Sequence, residues 1–162
     1  MGITRLFSTP QLPPVGPGDL AVVTGATSGI GEATARLLVE EGFRVVGTTR
    51  RPEGVDKRIE GVTYVGLDLG DPASIEACAA EILALGTPAV LVNNAGESQS
   101  GPFEELPRDA LERLFQVNVI GHVDLTQRLL PAMRAAGRGR VVMVGSMLGS
   151  FPLAYRSSYV AS

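Results

Sequence analysis

The 162 residues carry 14 lysines and arginines against 17 aspartates and glutamates, a net charge of −3, with 44% hydrophobic and 19% charged residues. That length and composition give one domain with a core of its own and exclude a disordered chain. There is no basic block beyond Arg50-Arg51, which argues against nucleic acid as the main partner; the single cysteine excludes an internal disulfide, and no apolar run approaches the roughly 18 residues of a membrane span.

Residues 1–18 are rich in proline and lack the apolar core of a signal peptide, and Leu6 stands where a myristoylation signal needs Ser or Thr. They read as a flexible leader to one domain over 19–162, in a cytoplasmic protein. The run Leu20-Ala21-Val22-Val23 then reads as a buried strand breaking into Thr24-Gly25-Ala26-Thr27-Ser28-Gly29-Ile30-Gly31. Glycines permit a tight turn and close approach to a ligand, and a helix starting there offers free N–H groups to a phosphate. The spacing is G-x-x-x-G-x-G instead of the usual G-x-G-x-x-G, and it lacks the Gly-Lys-Ser/Thr ending of an NTP-binding loop.

Ile30, Ala33, Leu37 and Leu38 recur at helical spacing and Gly42 supplies a stop. A second strand is predicted over 43–48, a polar loop over 49–54, and a third strand over 62–67 that ends at Asp68. Asp71-Pro72 opens a helix with Ile75, Cys78, Ile82 and Leu85 inward, closed by Gly86. Residues 89–92 form a fourth strand, followed by Asn93-Asn94-Ala95-Gly96. One long helix is predicted over 107–136, weakened by Gly121, then a fifth strand over 140–144 running into Gly145-Ser146.

Strands alternating with helices predict right-handed crossovers and a doubly wound parallel α/β sheet. Its ligands lie beyond the carboxyl ends of the strands, near the switch in strand order. The unusual residues fall at those ends: Gly25 to Gly31, Arg50, Asp68, Asn93 to Gly96, and Ser146. Cys78 and the lone His122 read as structural residues, with no second ligand at metal spacing.

From Leu20 onward the chain resembles the short-chain dehydrogenase/reductase family, a Rossmann-like group. Thr24-Gly25-x-x-x-Gly29-Ile30-Gly31 is similar to its coenzyme turn, and Asn93-Asn94-Ala95-Gly96 to its fourth-strand motif. Asn118 stands where the family keeps an asparagine, and Ser146 and Tyr159 match its catalytic serine and tyrosine. The resemblance implies a coenzyme site at Gly25, Thr27, Ser28, Gly29, Ile30, Gly31, Asn94, Ala95 and Gly96, with Asp68 on the adenine amino group and Leu69 beside the ring. An acidic residue ending the second strand would select NAD. Here Thr49 is followed by Arg50 and Arg51, and guanidinium forks suit the 2′-phosphate of NADP(H), with NAD(H) the lesser expectation.

The implied chemistry is hydride transfer between nicotinamide and a carbonyl or secondary alcohol. Tyr159 would be general acid or base, Ser146 would hydrogen-bond the carbonyl oxygen, and Asn118 would hold a relay water through a backbone carbonyl. A tyrosine pKa of about 10 needs a nearby cation to lower it. The family pattern puts that cation, a lysine, four residues after Tyr159, immediately past Ser162. The expectation is therefore the N-terminal portion of such an enzyme, inactive alone, whose full-length form is a homo-oligomer. The alternative is a catalytically inactive dinucleotide-binding or interaction module. Met147, Leu148, Phe151, Pro152, Leu153 and Tyr155 are expected to line an apolar pocket for a hydrophobic substrate.

Overall fold

The computed structural model describes residues 13–151 and 153–162, so most of the predicted leader, and Pro152 of the predicted pocket, lie outside the described residues. Five strands form one parallel sheet: β1 (Leu20–Val23), β2 (Arg44–Thr49), β3 (Val62–Gly66), β4 (Pro88–Asn93) and β5 (Arg140–Met143). Their order is β3-β2-β1-β4-β5. The predicted doubly wound, Rossmann-like sheet is present, with strand limits shifted by a residue or two.

Alternation along each strand feeds two cores. Leu20, Val22, Val46, Val65 and Leu91 face one side, where α2 (Pro72–Leu85) and α4 (Gly121–Ala135) supply Ile75, Cys78, Ile82, Leu125 and Leu129. Ala21, Val23, Val45, Val90 and Val92 face the other, against Ala35 of α1 (Gly29–Glu40). Each fully buried Val, Leu or Ile contributes roughly 1.5–3 kcal/mol. Burial pushes the Cys78 thiol up to about 12, in keeping with an inert core residue.

Three expectations change. Ile30 and Leu37 of α1 are 66% and 60% exposed, and Gly31 and Ala35 face the sheet instead. Small residues let this helix sit close to β1, and Leu38 and Val39 pack on the second core beside them. The helix predicted over 107–136 is present without a break from Arg108 to Ala135, but its middle is a π-helical turn at Gln116–Ile120 between α3 (Arg108–Phe115) and α4. Gly121 is not a weak spot: a Cβ there would stand 2.4 Å from the Leu69 carbonyl oxygen, so the helix is glycine at the point of contact. Finally, residues 13–18 are tied to the domain. Pro13 O accepts from Arg140 Nη2 at 2.8 Å, Gly18 N–H donates to Gly42 O at 2.8 Å, and Val15 packs on the second core.

The close approach at Gly121 has a direct test. Gly121→Ala is expected to lower stability by about 1–3 kcal/mol, whereas Gly149→Ala, where a Cβ meets nothing within 4 Å, should change it by less than about 0.5 kcal/mol. Urea unfolding midpoints of the two variants check the contrast.

Candidate active site

The strand order reverses between β1 and β4, and two adjoining clefts open there over the carboxyl ends of the parallel strands. The first, about 300 Å³, is lined by Gly25, Thr27 and Ser28 after β1, and by Thr49 and Arg50 after β2. Asp68 and Leu69 after β3 and Asn94, Ala95, Gly96 and Glu97 after β4 complete it. The second, about 270 Å³, shares the β4 residues and adds Ile30, Asn118, His122, Ser146 and Tyr159. Arg51 lies in a hollow beside the first cleft, with Lys57 and Thr27.

The turn after β1 is shaped for an anion. Ser28 is the N-cap of α1 but its side chain makes no capping bond. Gly29 has φ +56° and a Cβ there would meet nothing within 4 Å, so the first turn of the helix opens onto free space. Unpaired N–H groups and the positive end of the helix dipole favour a phosphate at such a place. Gly31 plays a different part from the one expected of a lining residue. It is buried, and a Cβ would come 2.2 Å from Gly25 O and 2.5 Å from Asn94 Nδ2. Its role is to let α1 touch the turn and the Asn94 side chain. These features fit a dinucleotide pyrophosphate over Ser28 and Gly29.

The β4 motif is held by Thr24, which opens the glycine-turn motif and for which the sequence suggested no bonding role. The Thr24 hydroxyl accepts from Asn94 N–H at 2.8 Å and Ala95 N–H at 2.9 Å, and donates to Val92 O at 3.4 Å. Asn94 Nδ2 returns a bond to Thr24 O at 2.9 Å. Asp68 Oδ1 accepts from Gly70 N–H at 2.8 Å, fixing the carboxylate at the cleft rim.

Glu97 is an unanticipated residue. Its backbone N–H donates to Asn118 Oδ1 at 2.8 Å, and its carbonyl accepts from Asn118 Nδ2 at 3.0 Å. Its carboxylate takes a two-pronged contact from Arg113, at 2.6 Å from Nη2 and 3.0 Å from Nε, and lies 3.5 Å from Arg50 Nη1. The hydrogen bonds that Arg113 donates to the Glu97 carboxylate are the main reason its guanidinium is held above its ordinary pKa.

In the second cleft, Ser146 ends the segment after β5 and its Oγ accepts from Leu148 N–H at 3.2 Å. That leaves the hydroxyl proton free to donate elsewhere. Tyr159 is half-buried on the short helix α5 (Ser157–Ala161). Among the described residues no hydrogen bond joins Ser146 to Tyr159. Asn118 Nδ2 also donates to Ser162 Oγ at 3.0 Å, linking the π-helical turn to the end of α5. Of the apolar residues expected in a pocket, Met147, Leu148, Phe151, Leu153 and Tyr155 do not line this cleft, and all but Leu148 are 54–75% exposed. Among the described residues no group of three or more His, Cys, Asp and Glu could hold a metal ion.

His122 is buried at the wall of the second cleft. Its Nε2 lies 2.6 Å from Ala95 O, and its Nδ1 lies 3.1 Å from Asn93 Oδ1. Burial holds the ring below its ordinary pKa of 6.5, against the opposing pull of the Ala95 carbonyl. The sign follows: the fold holds the ring neutral, while the unfolded chain takes up a proton as pH falls through 6.5. Its stabilising contribution is therefore full above that pH and lost below it. The urea midpoint of the wild type is expected to fall between about pH 7 and about pH 5, and His122→Asn should flatten part of that slope.

A family model described as short chain dehydrogenase matches residues 19–162. The chain is 38% identical over 144 residues to an uncharacterized oxidoreductase, YbbO, of Escherichia coli (strain K12), covering 87% of this chain and 54% of that protein. It is 42% identical over 158 residues to polyprenol dehydrogenase of Mus musculus, covering 86% and 45%. The chain thus spans about half the length of the curated relatives it matches. The crystal structure of a metagenomic short-chain oxidoreductase in complex with NADP superposes with a TM-score of 0.81 at 34% identity, covering 90% of this chain and 70% of that one. Family pattern, sheet order and the ring of loops at the strand ends agree, and the chain belongs to the short-chain dehydrogenase family.

Proposed function

We propose that this chain is the coenzyme-binding portion of an NADP(H)-dependent oxidoreductase that interconverts a hydrophobic ketone and its secondary alcohol. The observation that carries the proposal is the meeting, in one groove, of the open α1 N-terminus at Ser28-Gly29 with Arg50 at the end of β2. The first suits a pyrophosphate. The second stands where a carboxylate would repel a 2′-phosphate. The NADP named with the metagenomic relative supports the coenzyme, and the polyprenol dehydrogenase of mouse supports the hydrophobic character of the substrate.

When bound, the coenzyme supplies or takes up the hydride. Thr27 and Ser28 would hold its pyrophosphate, Arg50 and Arg51 its 2′-phosphate, Asp68 and Leu69 its adenine, and Asn94, Ala95 and Gly96 its adenosine ribose. In the adjoining cleft the Tyr159 hydroxyl would pass a proton to the carbonyl oxygen during reduction and take it back during oxidation. The free hydroxyl proton of Ser146 would steady the same oxygen as charge develops on it. Asn118 positions the loop through its two bonds to Glu97. Tyr159 works near neutrality only beside a cation, and the family pattern supplies a lysine four residues after it. Turnover is accordingly assigned to a protein carrying that lysine, and coenzyme binding to the 162 residues themselves. No helix among the described residues is long and apolar enough to cross a membrane. A cytoplasmic, self-associating enzyme completes the proposal.

Calorimetric titration of this chain should give tighter binding of NADPH than of NADH, and Arg50→Asp should remove that preference, by about tenfold or more. Equal loss of both coenzymes would overturn the assignment. In a protein that continues through the lysine, Tyr159→Phe should cut kcat by about 100-fold or more with coenzyme affinity unchanged. Retained turnover would remove Tyr159 from the chemistry.

A further inference from the structure

Glu97 is an unexpected charge to find on a groove meant for phosphates. It is the residue directly after Asn93-Asn94-Ala95-Gly96, it lines both clefts, and its side chain is 33% exposed. Two arginines from separate parts of the chain converge on it. Arg50 reaches it from the end of β2 at 3.5 Å, and Arg113 grips both of its oxygens from α3. Arg50 is thus shared: the guanidinium that suits a 2′-phosphate rests, without one, against a carboxylate.

A 2′-phosphate and the Glu97 carboxylate are both acceptors for the same five-donor fork. They also repel each other across a groove only a few side chains wide. The strength of that competition depends on how much of the Glu97 charge is already satisfied. The two-pronged Arg113 contact is shorter and better aligned than the Arg50 contact, so it draws the carboxylate towards α3 and away from the nucleotide. None of this concerns the parts that the two dinucleotides have in common.

We propose that Glu97 sets the preference between NADP(H) and NAD(H), by competing with the 2′-phosphate for Arg50, and that Arg113 keeps this competition weak by neutralising Glu97. The proposal rests on the NADP(H) assignment above. Glu97→Gln removes the charge and leaves the backbone bonds to Asn118 in place. Arg113→Leu does the reverse, leaving Glu97 with Arg50 as its single cation.

The test is the ratio of NADPH to NADH affinity, titrated by the fluorescence of each reduced coenzyme. The chain has no tryptophan to interfere. Glu97→Gln should raise the ratio about three- to fivefold and Arg113→Leu should lower it about as much, the scale of one exposed ion pair. The double variant should behave like Glu97→Gln, because Arg113 acts only through Glu97. NADH affinity reports in each case that the groove is folded, and Glu97→Gln alone decides the matter if Arg113→Leu loses it. An unchanged ratio in Glu97→Gln overturns the proposal while leaving the coenzyme assignment standing. A wild-type chain without NADPH preference, whose ratio also ignores Arg50→Asp, overturns both.

Discussion

One buried hydroxyl holds the split in the sheet together. β1 and β4 are neighbours whose chains leave in opposite directions, so a gap opens beyond their last paired residues. Thr24 spans it with every bond a hydroxyl can make, donating once and accepting twice. It is wholly buried. Without it, two backbone N–H groups would lose their partner, at about 1–3 kcal/mol each where water cannot reach them. The position of Asn94 follows from Thr24. The position of α1 follows from Asn94, because Gly31 sits directly against that side chain. The anion-binding end of α1 is thus set by a bond made on the neighbouring strand.

The two clefts differ in how firmly they are built. The coenzyme groove is walled by strand ends and buried groups, with His122 and Thr24 locking the β4 segment in place. The second cleft, proposed as catalytic, draws Ser146 from an exposed segment and half-buried Tyr159 from the short α5. β5 and the residue after it leave Val141, Val142, Met143 and Val144 at 38–56% exposure. The proposed coenzyme binding therefore draws on the better supported of the two clefts. The proposed chemistry draws on Ser146 and Tyr159, which no hydrogen bond joins among the described residues.

Much of this was legible in the residues. Apolar runs ending in Thr24, Thr49, Asp68 and Asn93 mark the strands, because a parallel strand covered on both faces cannot alternate. The glycine turn and the asparagine motif mark the site. What escaped has physical causes. The face of α1 was misread at Ile30 and Leu37 because periodicity counts apolar residues, while packing against β1 depended on smallness at Gly31 and Ala35. The exposed side chains of Met147 and Phe151 escaped because a loop has no period from which to read direction. Glu97 and Arg113 lie 16 residues apart, and no spacing rule links a loop to a helix. His122 is buried, as a structural residue would be, yet its partners, Asn93 and Ala95, could be found only in three dimensions.

The π-helical turn at Gln116–Ile120 carries a consequence for the helix that follows it. It holds one residue more per turn than an α-helix would, and successive helical residues are about 100° apart. Wound instead as plain α-helix, the same residues would swing everything after the turn by about that angle. His122, Leu125, Leu129 and Met133, now buried, would turn off the sheet together, and the glycine at Leu69 O would give way to a bulkier neighbour. Here the winding of the helix is itself a structural parameter, fixed as tightly as the identity of any side chain in the core.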